Sequence, residues 1–271
     1  MSIEFFCPRW GSEDLPWDIF LDKVQEAGYQ GVEYGVPNDV SEEALDATWN
    51  VAEQRQIPII AQHFGTYDAD FEAHADAYAA WLEKIKAYPV RFVNSQTGKD
   101  FFSIEQNQAL IEIADAFTSD TSVKVYHETH RNKFGFAAHV ARQYLEKIPD
   151  LRITLDVSHW VCVAESYLAD QPEALRLAIE RTDHLHARVG YPEGPQIPDP
   201  RVPEWQEAVA VHLSWWDQVV EKKKQQNESF TITPEFGPYP YMLRLPFTRQ
   251  PLVSQWEVNV YMMDLLRERY C

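Results

Sequence analysis

Eight short runs rich in strand-forming residues recur along the 271-residue chain, and each is followed by a longer segment with helical periodicity. The runs are residues 3–7, 31–35, 57–63, 90–96, 123–128, 152–156, 182–188 and 230–235. Their starts fall on average about 32 residues apart, the length of one strand–helix unit with its loops. The intervening segments carry helix signals. Trp17, Phe20, Leu21 and Val24 stand at i, i+3, i+4 and i+7, and Gly28 follows where a helix-terminating glycine belongs. Ser41 precedes Glu42 and Glu43 as an N-cap with an acidic first turn. Ser103 and Gln106 have the spacing of a capping box. Further helices are predicted over residues 71–87, 137–148, 173–180, 204–224 and 252–268.

Eight alternating units predict an α/β protein with a parallel sheet covered by helices. Eight is also the number that closes a (β/α)8 TIM barrel, here as a single domain over residues 1–271. The rival is an open doubly wound sheet, which normally turns after its first strand on a glycine-rich loop. This chain has Pro8-Arg9-Trp10-Gly11 there. With 45% hydrophobic and 24% charged residues the composition is that of a globular protein. The formal net charge of −18 opposes binding to nucleic acid or to an anionic membrane, and neither is an expected partner. Cys7, Cys162 and Cys271 lie far apart, which fits a reducing compartment. The first residues lack the charge and apolar run of a signal peptide, and no run reaches the ~18 apolar residues of a membrane span, so a cytoplasmic location is expected. Association into a homo-oligomer is left open.

In a barrel of this kind the site lies at the C-terminal ends of the strands. Side chains alternate with period two along a strand. Ile153 and Leu155 share one face, and Thr154 and Asp156 the other. Ile232 and Pro234 oppose Thr231, Thr233 and Glu235. Leu185 is flanked by His184 and His186, and Val123 and Val125 oppose Tyr126 and Glu128. With the apolar sets against the helices, four late strands deliver Glu128, Asp156, His186 and Glu235 to one barrel mouth. Three carboxylates brought together in a low-dielectric pocket repel one another and lose hydration, and a divalent cation offsets both costs. Oxygen and imidazole donors suit Mn²⁺, Zn²⁺, Co²⁺, Fe²⁺ or Mg²⁺. Taken alone, any one strand-end carboxylate is more often a cap or a solvated group, and His184 reads as a packed core histidine.

At these residues the chain resembles the xylose isomerase-like TIM-barrel superfamily of sugar isomerases and epimerases. The matching segments are Gly31-Val-Glu33-Tyr, Tyr126-His-Glu128-Thr, Leu155-Asp156-Val-Ser-His159-Trp160, His184-Leu-His186-Ala-Arg188 and Thr233-Pro-Glu235-Phe-Gly237. The resemblance implies one divalent metal, Mn²⁺ first among the candidates, held by Glu128, Asp156, His186 and Glu235. It places His159 and Arg188 on substrate oxygens, with Glu33 and His63 as further substrate contacts. Such a centre acidifies the C–H between a carbonyl and a hydroxyl and stabilises an enediolate. Glu128 and Glu235, from well-separated strands, are then the expected proton carriers, flanking opposite faces of the substrate.

The function so implied is isomerisation or epimerisation of a small keto-sugar or aldose, or a polyol-derived ketone. The alternative is a metal-dependent dehydratase of the inosose dehydratase type. The DNA-repair endonuclease branch carries further metal ligands. His63 and His159 match two of them, but Asn94-Ser95-Gln96 has no histidine and the loop over residues 190–203 has no Asp-x-His pair, so a phosphodiesterase is disfavoured, as is a non-catalytic sugar-binding barrel. The lysine of hydride-shift isomerases is not identifiable. Trp10, Phe64, Trp160, Tyr239 and Tyr241 follow strand ends and are candidates to pack on a sugar's apolar face. Arg188 and Arg201 are candidates to hold a carboxylate or phosphate, and the proline-rich loop over residues 190–203 is the expected lid.

Overall fold

The computed structural model describes residues 2–271. The described residues form eight parallel strands in sequence order: β1 (Ile3–Pro8), β2 (Gly31–Gly35), β3 (Ile59–His63), β4 (Val90–Ser95), β5 (Val125–Glu128), β6 (Ile153–Leu155), β7 (Thr182–His186) and β8 (Phe230–Thr233). β1 pairs with β8, with Ile3 opposite Phe230 and Phe5 opposite Ile232, so the sheet closes. This closure is the (β/α)8 barrel expected from the repeat, and it removes the open doubly wound sheet.

The helices are α1 (Trp17–Ala27), α2 (Glu42–Gln54), α3 (Phe71–Ile85), α4 (Ile104–Thr121), α5 (Ala138–Lys147), α6 (Val157–Ala164), α7 (Pro172–Arg181), α8 (Gln206–Gln226) and α9 (Gln255–Tyr270). Their ends follow the sequence signals. Gly28 closes α1 at φ 88°, a left-handed conformation that glycine adopts without a Cβ clash. The Ser41 hydroxyl accepts from Ala44 N–H, and Ser103 and Gln106 complete the capping box of α4. Such caps each stabilise a helix by about 1 kcal/mol. α8 starts at Gln206 because Pro203–Trp205 forms a separate 3₁₀ turn, and α9 starts after its Ser254 cap.

One helix has no counterpart in the periodicity. α6 follows Asp156 directly, and Val157, Ser158, His159, Trp160 and Val161 are all buried. Its first five residues are buried and its one exposed residue, Val163, is apolar, so no polar face marks the helical period in the sequence. The main core lies between the barrel and its helices and includes Leu21, Trp81, Leu110, Trp160 and Leu185. Inside the barrel, Phe6, Ile60 and Phe92 pack with Tyr126 into a separate apolar plug. The plug leaves the inward positions nearer the strand ends for polar side chains. No described helix is long and apolar enough to cross a membrane.

Candidate metal centre

The inward-facing polar residues form two layers. In the deeper layer Glu33, from β2, is the hub. Its Oε1 lies 3.0 Å from His186 Nε2 and accepts from Asn94 Nδ2 at 2.8 Å. Its Oε2 lies 3.1 Å from His184 Nε2 and accepts from the Thr233 hydroxyl. His184 is anchored on its other nitrogen by Thr231, 2.7 Å to the hydroxyl. His184 is thus a supporting residue inside the barrel. Burial acts to raise the Glu33 carboxyl, but the two imidazoles outweigh it and hold the group well below the usual range.

The upper layer holds the four strand-end residues. Donor atoms of Glu128, Asp156, His186 and Glu235 all lie within 4.8 Å of one another, and all four residues are buried. Register explains the convergence: Glu128 pairs with Thr154 and His186 with Thr233, so neighbouring strands finish at one height. Glu128 accepts from the carboxamides of Gln62, Asn94 and Gln96 at 3.1–3.3 Å. Gln62 also donates to Glu235 at 3.2 Å. Asp156 accepts from Ser158 N–H at 3.0 Å and from the Arg188 guanidinium at 2.5 Å.

The charges in this group do not balance. Glu33, Glu128, Asp156 and Glu235 face one guanidinium, Arg188, and at most one imidazolium, His186. Burial, with added repulsion from Glu235, Asp156 and Glu33 against the pull of His186, pushes Glu128 up to about 7. Burial raises Asp156 despite Arg188. A second sign of the imbalance is geometric. His186 Nε2 is taken by Glu33, while the buried Nδ1 has no hydrogen bond and lies 3.0 Å from Glu235 Oε2 and 3.8 Å from Glu128 Oε1. Burial acts to lower the His186 imidazole, but Glu235, Glu33 and Glu128 outweigh it and raise the group well above its usual range, and a cation taking the place of the Nδ1 proton would leave the Nε2 proton on Glu33. A cation shared by these atoms removes the repulsion, and a carboxylate on the distal nitrogen is the usual orienting partner of a metal-bound histidine. Three carboxylates and one imidazole fit a hard or borderline divalent ion.

Above the group opens a cavity of about 320 Å³, floored by Gln62, Gln96, Arg188 and Glu235. Trp10, Phe64, Tyr67 and Tyr241 contribute aromatic walls, with Trp10 and Tyr241 edge to face at 5.2 Å. His130 and Lys133 also line it. His159 sits beneath, fully buried, with Nε2 2.6 Å from Arg188 and its ring 4.0 Å from that of His130.

Several predicted positions fall elsewhere. His63 points to the helix side of β3, against Thr66, Tyr78 and Trp81, while its neighbour Gln62 points inward. Trp160 is buried with its indole N–H on Gly135 O, and Tyr239 is exposed beside a different cleft. Arg201 pairs with Asp199. The expected lid is packed down: Gln196 exchanges two hydrogen bonds with Gly237, and none of residues 190–203 lines the cavity. Glu128 and Glu235 do not flank the cavity from opposite faces. They lie side by side, bridged by Gln62, because inward side chains of well-separated strands reach the same barrel axis. Gln62, Asn94, Gln96 and Lys133 also belong to the site, beyond the residues predicted from sequence. Inward parity with Phe92 marks Asn94 and Gln96, whereas neither the unbroken burial of β3 nor a loop gives a signal for Gln62 or Lys133.

These features define a closed (β/α)8 barrel with a buried carboxylate–imidazole cluster at its C-terminal mouth. No protein-family model matches the chain, and no curated protein matches it in sequence. Among solved structures, the probable 3-DHS dehydratase AsbF, involved in petrobactin synthesis in Bacillus anthracis, aligns over 99% of this chain and 100% of its own, with a TM-score of 0.60 and 14% identity. That likeness shows a shared fold. A truncated 3-deoxy-D-arabino-heptulosonate 7-phosphate synthase from Thermotoga maritima aligns over 84% of this chain and 89% of its own at a TM-score of 0.34 and 15% identity, too low to carry an argument.

Proposed function

We propose that this barrel is a divalent-metal-dependent enzyme of the xylose isomerase-like kind, moving a proton on a small sugar-like hydroxycarbonyl compound. The observation that carries the reading is the convergence of Glu128, Asp156, His186 and Glu235 beneath a cavity of about 320 Å³, a monosaccharide-sized space. These four would hold the ion, with Glu33 fixing the His186 ring. When bound, such an ion supplies Lewis-acid stabilisation for negative charge developing on substrate oxygens.

The chain's own groups supply the rest. Arg188, held by Asp156 and Ser158, presents a fixed positive charge to the cavity floor. Trp10, Phe64 and Tyr241 exclude water from the reacting face and bury the apolar side of a sugar ring. Glu128 and Glu235 carry the proton. Because Glu235 lines the floor and Glu128 lies beside it, with Gln62 donating to both, removal and return occur from one side. That supports transfer between adjacent carbons, an aldose–ketose isomerisation, over epimerisation, which needs a donor on the other face. A second reading is dehydration, favoured by the likeness to a protein described as a 3-DHS dehydratase.

The test is a panel of aldoses, ketoses and keto-polyols incubated with metal-loaded protein in deuterated water. Deuterium should enter the carbon next to the carbonyl of one substrate, and Glu128→Gln and Glu235→Gln should each lower that rate by about 10²-fold or more. Conserved product mass apart from deuterium marks isomerisation, and loss of water marks dehydration. Near-normal exchange in both variants would exclude the reading.

A further inference from the structure

The cations around the mouth cavity are of two kinds. Arg188 is paired with Asp156, Arg131 donates to the Tyr241 hydroxyl, and Arg9 donates to Leu15 O and stacks on Trp17 and Phe20. Lys133 lines the same cavity but is only 2% exposed, and its Nζ has no hydrogen-bond acceptor. Lys99, 4% exposed, likewise has no acidic partner among the described residues. The two ammonium groups lie 5.7 and 5.6 Å from the centroid of the same Tyr67 ring.

This juxtaposition is built rather than incidental. Asn107 grips the Lys99 backbone through both its amide atoms, and the loops carrying the two lysines are joined by Phe134 N–H donating to Thr97 O. Gly98, at φ 66°, lies so close to Asn107 that a Cβ would come within 2.1 Å of its side-chain oxygen. Burial and the charge of Lys99 push the Lys133 ammonium down to about 8, while Glu128 opposes them. Glu128 acts on it only from a distance, since Lys133 Nζ makes no hydrogen bond to any described group. A buried ammonium without an ion-pair partner, with a second lysine close by, is costly unless an anion completes it.

We infer that Lys133, with the charge of nearby Lys99 added to its own, forms an anion subsite in the cavity wall that takes a carboxylate or phosphate of the substrate, so that the substrate is a sugar acid or sugar phosphate rather than a neutral sugar. The word substrate rests on the function proposed above; the anion site does not. The aromatic walls then hold the ring between a charged handle on the wall and the proton-transfer groups on the floor.

The experiment is calorimetric titration of metal-loaded protein with inorganic phosphate and, separately, with D-gluconate, at an ionic strength fixed by chloride. One of the two anions should bind with saturation at one per chain, and which one does distinguishes phosphate from carboxylate. Lys133→Gln should weaken that binding by about tenfold or more, Lys99→Gln should weaken it in the same direction, Lys133→Arg should retain most of it, and the surface control Lys222→Gln should leave it unchanged. Each variant's melting temperature verifies folding. Failure of both anions to saturate the wild type, or binding indifferent to both glutamine substitutions, overturns the inference. Lysine-dependent binding with no deuterium exchange on any acid or phosphate would keep the subsite and remove the enolising reading. Exchange on a neutral sugar with no anion binding would do the reverse.

Discussion

Replacing Lys133 by methionine should stabilise the anion-free protein at neutral pH, although it removes a buried side chain's charge. The ammonium is lowered from 10.5 to about 8, by burial first and by Lys99 second. A lysine whose folded value is depressed binds its proton less well in the native state than in the unfolded one. Below about pH 8 both states are protonated and the folded state carries the full penalty, about 3 kcal/mol at about 1.4 kcal/mol per unit. Between pH 8 and 10.5 the native lysine sheds its proton and the penalty fades. Methionine keeps the apolar stem, and the forfeited cation–π contact with the exposed Tyr67 ring is worth about 0.5–1 kcal/mol. A net gain of about 2 kcal/mol remains, equivalent to a rise in Tm of about 3 to 4 °C for a chain of this length. Thermal denaturation of dialysed wild type and Lys133→Met, from pH 7 to pH 10, reads both the gain and its disappearance with rising pH. A variant less stable than wild type at pH 7, by an amount that does not change with pH, would refute the reasoning.

Two further outcomes follow from the supporting residues. Glu33→Gln should cost about 10–100-fold in Mn²⁺ affinity, because it weakens the partner that fixes His186 Nε2; unchanged affinity by calorimetry would mean that Glu33 does not orient that ring. Gln196→Ala should lower stability by about 1–3 kcal/mol in urea titrations, since it strands the buried Gly237 N–H, whereas a loop acting only as a lid would show no such loss.

The sequence was most legible where a physical period is strict. The strand repeat and its inward parity carried Glu128, Asp156, His186 and Glu235 to one point, because alternation along a strand leaves each side chain only two directions. Parity failed in β3, where Ile59, Ile60 and Ala61 are all buried and no alternation marks the inward face. There the metal-ligand chemistry of His63 marks the wrong neighbour, and the inward residue is Gln62, which holds both Glu128 and Glu235. Asn94 and Gln96 carry no charge, so nothing but their parity sets them apart in the sequence. α6 is unreadable because its exposed residue, Val163, is as apolar as its buried ones. Lys99 and Lys133 sit on loops, where no period relates one residue to another, so only the folded chain reveals that both lie near Tyr67. The deeper support of His186 by Glu33 joins β2 to β7 across the barrel, a contact that no local pattern encodes.

The central claim is that a divalent cation is held by the four strand-end side chains. Elemental analysis by plasma mass spectrometry, after chelation, reloading with Mn²⁺ and desalting, tests it most directly. Wild type should retain one ion per chain, and Asp156→Asn and Glu235→Gln should lose it while keeping the wild-type circular dichroism spectrum. An unloaded wild type, or variants that load as fully as wild type, would contradict the account.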